Sequence, residues 1–98
     1  MDAAAIIATL REQQPALAAM GIRHAGVFGS VARGEAGPGS DIDILVEFEP
    51  GAVPDIFTYV GFQEQVAGLF PGKVDVVHEG GLRPAMRDRV LRDLVHAF

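Results

Sequence analysis

Apolar residues recur along this chain with two periods. Ile6, Ile7 and Leu10 fall at helical spacing behind Asp2, a residue suited to capping, and predict a helix over residues 2–20. Pro15 interrupts that helix: either it kinks there, or it breaks and Pro15 opens a second short helix closed at Gly21. Residues 22–28, IRHAGVF, read as a first strand. VARGEA after Gly29-Ser30 begins a short helix, and GEAGPGS (34–40) is a loop by its glycine and proline content. DIDILVEF then alternates. Ile42, Ile44, Val46 and Phe48 share one face, and Asp41, Asp43, Leu45 and Glu47 share the other. That alternation predicts a sheet covered by helices on one face only.

Pro50-Gly51 ends the second strand. Residues 55–70 predict a helix burying Ile56, Tyr59, Val60, Phe62, Val66, Leu69 and Phe70, and Pro71-Gly72 stops it. KVDVVH (73–78) reads as a third strand and Gly80-Gly81 as a turn. A last helix from Leu82 to Val95 is read from Leu82, Met86, Val90, Leu94 and Phe98 at steps of four. The predicted order is α-β-α-β-α-β-α, an α+β arrangement without repeats or linkers, in one domain over residues 1–98.

With 98 residues, 49% of them hydrophobic, the chain can form a core without disulfides or structural metals. It has no cysteine, which excludes disulfide frameworks and thiolate zinc sites. A net charge of −5 argues against direct nucleic-acid binding, which needs a basic face. A nucleotide substrate stays open, because Mg²⁺ can supply positive charge locally. No apolar run approaches the ~20 residues of a membrane span, and the N-terminus lacks the basic region of a signal peptide. A cytoplasmic location is the expectation.

Gly29-Ser30, ten residues, then Asp41-Ile42-Asp43 is where chemistry enters. Gly29 lets backbone approach a ligand, N–H groups opening a helix attract an anion, and the Ser30 hydroxyl can donate to a phosphate oxygen. The bland alternative is a strand-to-helix turn with Ser30 as its cap. Asp41 and Asp43 share a strand face, roughly 7 Å apart along the chain. Carboxylates converging to 4 Å repel by about 4 kcal/mol at an effective dielectric of 20, so such a pair needs a cation or a raised pKa. Mg²⁺ suits it; two solvated aspartates are the alternative. Asp75 lies between valines in the third strand and joins the same face if the second and third strands are neighbours; otherwise it is an exposed partner of Lys73. Arg33 stands one helical turn past the Gly-Ser turn, as a phosphate ligand or an ion-pair partner of Glu35. His24, His78 and His96 lack metal-ligand spacing, and Glu47 lies beyond the acidic pair.

Taken together, GSVARGEAGPGSDIDILVEF and KVDVV resemble the minimal nucleotidyltransferases of the polymerase-β-like superfamily, over nearly the whole chain. The matching pattern is Gly29, Ser30, Asp41 and Asp43, with Asp75 in the later strand. The resemblance implies the polymerase-β-like fold, a mixed sheet with helices mainly on one face. It implies nucleotidyl transfer with two Mg²⁺ ions: Asp41, Asp43 and Asp75 as catalytic metal ligands, Asp75 also activating the acceptor hydroxyl, and Gly29, Ser30 and Arg33 on the phosphates. Relatives of this kind are commonly encoded beside a helical HEPN-domain ribonuclease. There they act as antitoxins, transferring AMP from ATP to a tyrosine of the toxin in a hetero-oligomer. Two other readings remain: masking of the toxin without catalysis, and transfer to a small molecule held by a partner subunit.

Overall fold

Asp2 caps the first helix, α1 (Ala3–Glu12), its Oδ1 accepting from the Ala5 N–H at 2.9 Å. The computed structural model describes residues 1–98. Helix α2 (Gln14–Ala19) follows as a separate element with Pro15 in its first turn, where a missing N–H costs no helical bond. Of the two outcomes open at Pro15, the chain takes the break. Gly21, at φ +91°, turns the chain into strand β1 (Ile22–Phe28).

A short helix α3 (Gly29–Ala32) leads to strand β2 (Ile42–Phe48), then helix α4 (Ile56–Ala67) and strand β3 (Val74–His78). A 3₁₀ turn (Glu79–Gly81), helix α5 (Pro84–Asp93) and a two-residue strand β4 (Val95–His96) complete the order. The sheet runs β3-β2-β1-β4. β1 is antiparallel to β2 and to β4, whereas β2 and β3 are parallel and are joined by the crossover helix α4. The mixed α+β architecture is the one expected.

Ile42, Ile44, Val46 and Phe48 of β2 point into one core with Ile6 and Leu10 of α1, Leu17 of α2, and Phe62 and Val66 of α4. Phe48 anchors it, its ring 5.7 Å from that of Phe62. α4 differs from expectation on its outer side: Phe62, Val66 and the following Phe70 are buried and Tyr59 and Leu69 partly so, but Ile56 is 68% and Val60 44% exposed. The first half of the helix, IFTYV, is apolar on almost every side, so periodicity could not select the inward side there.

The second face of the sheet is not bare. Leu45 is buried there, with Leu91 and Leu94 of the α5 segment nearby. Gly26 makes this approach possible: a Cβ on it would lie 2.6 Å from the Val95 carbonyl oxygen and 2.8 Å from Leu94 Cδ1. The last helix is also shorter than the steps of four suggested. Leu94 is already extended (φ −63°, ψ 126°), and the chain then pairs along β1, the Ala97 N–H donating to the Ala25 carbonyl at 2.8 Å. The last residues thus satisfy backbone groups of β1 that would otherwise form a sheet edge. A two-residue strand leaves no periodic signal.

Candidate active site

β1 delivers the chain to Gly29, beside Asp43 on the second face of the sheet. Gly29 adopts φ +75°, and an added Cβ would collide with the Asp43 carboxylate. Glycine is therefore required twice over, for the left-handed backbone and for the close approach. The turn is closed by the Arg33 N–H to the Gly29 carbonyl at 3.1 Å and the Glu35 N–H to the Ser30 carbonyl at 2.9 Å. Ser30 is not the helix cap: the capping position is Phe28, without a side-chain hydrogen bond. The capping role is therefore not the one the serine takes in this strand-to-helix turn.

β2 presents Asp43 opposite Phe28 of β1 and in register with Asp75 of β3. With neighbouring strands about 4.8 Å apart, the two aspartates are side by side on one face. Burial holds the Asp43 carboxyl above the ordinary carboxylate range, and the negative charges of Asp75 and then Asp41 add to the effect; Arg33 opposes it. Asp75 is exposed and Asp41 half-buried. Lys73 lies 3.7 Å from Asp41, not against Asp75, in an exposed pair of little energetic weight.

No three Asp, Glu, His or Cys side chains converge closely enough to cage an ion by themselves. The donor set nevertheless fits Mg²⁺, which takes one or two carboxylates and completes its shell with water and substrate phosphates. A cation would also relieve the repulsion that raises the Asp43 pKa.

Arg33 lies next to Gly29 and is paired with two carboxylates. Its Nε meets Glu35 at 2.8 Å and its Nη1 meets Asp93 of α5 at 2.6 Å, and both carboxylates hold the guanidinium firmly protonated. The Glu35 pairing was one of the two alternatives open in the sequence. The link to Asp93 spans sixty residues and left no local signal. His78 packs edge-on against Phe48 and Tyr59, and His24 against His96, away from the carboxylates.

A mixed sheet whose parallel strands start with paired aspartates, faced by a glycine turn, fits the nucleotidyltransferase class. Comparison with known proteins agrees. Residues 7–96 match the nucleotidyltransferase domain family, and the chain belongs to it. A protein adenylyltransferase, MntA, of Thermococcus cleftensis is 40% identical over 76 residues, covering 78% of this chain and 75% of the relative. A solved structure provisionally described as a minimal nucleotidyltransferase is 41% identical with TM-score 0.74, covering 97% of this chain and 95% of the other. A toxin–antitoxin assembly solved with AMP-PNP matches at TM-score 0.72, covering all of this chain and 73% of the other; at 21% identity that likeness concerns the fold.

Proposed function

We propose that this chain is a Mg²⁺-dependent protein adenylyltransferase that transfers AMP from ATP to a tyrosine hydroxyl of a helical HEPN-domain toxin, and is thereby that toxin's antitoxin. The observation that carries the reading is the in-register pair Asp43 and Asp75 facing Gly29, in a chain of the nucleotidyltransferase family. Support for protein as acceptor comes from the Thermococcus relative, a named protein adenylyltransferase. Support for a toxin partner comes from those structural neighbours that were solved as toxin–antitoxin assemblies.

In this reading Asp41, Asp43 and Asp75 would hold two Mg²⁺ ions, which supply charge neutralisation for the attacking and leaving oxygens. Gly29 admits the terminal phosphates, and Ser30 donates to them. Asp75, the most open of the three, orients the acceptor hydroxyl and draws off its proton as the oxygen attacks the α-phosphorus. The bond to the β-phosphate oxygen breaks and pyrophosphate leaves. Catalysis consists of positioning and electrostatics. The open carboxylate end suits a side chain on the surface of another macromolecule. We place the working unit in one domain over residues 1–98 and the reaction in the cytoplasm, where ATP is available.

The test is label transfer. With Mg²⁺ and α-labelled ATP, the chain is expected to label a co-expressed helical toxin on tyrosine, and the double variant Asp41→Ala/Asp43→Ala to leave it unlabelled. If that variant still protects fully against the toxin, masking is the mechanism and the catalytic reading is wrong.

A further inference from the structure

Arg89 has no part in the chemistry above, yet it borders the space next to Gly29. Between α3 and α5 lies a cavity of about 200 Å³, lined by Gly29, Arg33, Met86, Arg89, Val90 and Asp93. The four α5 residues among these stand at i, i+3, i+4 and i+7, one face of that helix. The cavity thus shares a wall, Gly29, with the carboxylate site, since Gly29 also touches Asp43.

The two arginines in this wall are not equivalent. Arg33 is neutralised by Glu35 and Asp93. Asp93 lies four residues beyond Arg89 on the same helix face, the natural intrahelical partner, but its carboxylate is committed to Arg33 at 2.6 Å. Of the chain's four ion pairs none includes Arg89. The same Asp93–Arg33 bond ties α5 to α3 and keeps Arg89 at the cavity. Met86 and Val90 give the cavity an apolar side next to it.

We propose that Arg89 is a phosphate-binding residue and that this cavity receives the terminal phosphates of the nucleoside triphosphate. This rests on the reading of the site as nucleotide-binding. The carboxylates and their ions neutralise the triphosphate from one side. Past Gly29 the chain of phosphates still carries negative charge, and Arg89 is the unpaired cation at that end. Its planar fork can take two phosphate oxygens at once.

The test compares Arg89→Ala, Arg89→Lys and the control Arg92→Ala by calorimetric titration with Mg²⁺ and ATP, AMP or tripolyphosphate, on proteins with matched thermal melts. Arg89→Ala is expected to weaken ATP and tripolyphosphate about tenfold each and AMP hardly at all. Arg89→Lys should recover part of the loss, and Arg92→Ala should match the parent. An Arg89→Ala protein that binds ATP like the parent overturns the proposal. So does an equal loss for AMP and ATP, which would place the nucleoside in the cavity. If the parent binds no ATP at all, the nucleotide reading itself fails, an outcome separate from ATP binding that ignores Arg89.

Discussion

Asp43 carries the conflict between folding and chemistry. Strand alternation puts it on the second face, β1 and β3 hold it between Phe28 and Asp75, and Gly29 presses against its carboxylate. Burial and two neighbouring aspartates raise its pKa, so the folded state disfavours the ionised form. A carboxyl raised in this way costs stability once pH climbs through its folded pKa, and costs nothing below the unfolded value of about 4. Asp43→Asn is therefore expected to raise Tm at pH 7, with the gain closing as pH falls toward 4. Melting curves across pH check this; a lower Tm at neutral pH would mean that the carboxylate is stabilising. Gly29 was legible as a turn residue. That it is also indispensable for the approach of Asp43 was not, because that contact joins residues far apart in sequence.

Helix α4 separates what pattern can and cannot say about an element. Its start was readable, because Asp55 caps it through the Thr58 N–H at 2.8 Å. Its inward side was not, since Ile56, Phe57 and Val60 are as apolar as Phe62 and Val66. The structure resolves this: Phe62 is buried and Phe57 is 87% exposed. Phe62→Ala is expected to cost about 3–5 kcal/mol through lost burial and a residual cavity, and Phe57→Ala to stay within about 0.5 kcal/mol. Urea denaturation of both variants measures the difference; equal costs would contradict this packing. At the other end of the chain, β4 escaped prediction because the spacing of Leu82, Met86, Val90 and Leu94 continues a helix pattern past the point where the backbone leaves it. Pairing with β1 prevails there because it supplies partners for groups that a longer helix would leave exposed at the sheet edge.

For the whole molecule, the second face of the sheet is divided. Leu91 and Leu94 of the α5 segment cover the Gly26–Leu45 part, while the Asp43–Asp75 end stays open. If that end binds a metal–nucleotide complex, binding must stabilise the entire fold, because the unfolded chain cannot assemble residues from β1, β2 and β3. ATP with Mg²⁺ at a hundred times its Kd is expected to add about 2.7 kcal/mol and raise Tm by on the order of 10 °C, with EDTA abolishing most of the shift. A Tm indifferent to both would count against the site.

The sequence alone determined which residues are candidates for the chemistry and most of the elements that carry them. Turn glycines, alternation along β2 and the spacing from Gly29-Ser30 to Asp41 and Asp43 are local properties, read within a few residues. Only the tertiary structure decided how those elements meet. It set the parallel register that puts Asp75 beside Asp43. It also folded α5 onto the second face and tied Arg33 to Asp93, leaving Arg89 as the unpaired guanidinium beside Gly29. Register, helix docking and charge pairing depend on contacts between residues distant in the chain, and no periodicity encodes which of several possible partners a side chain will find.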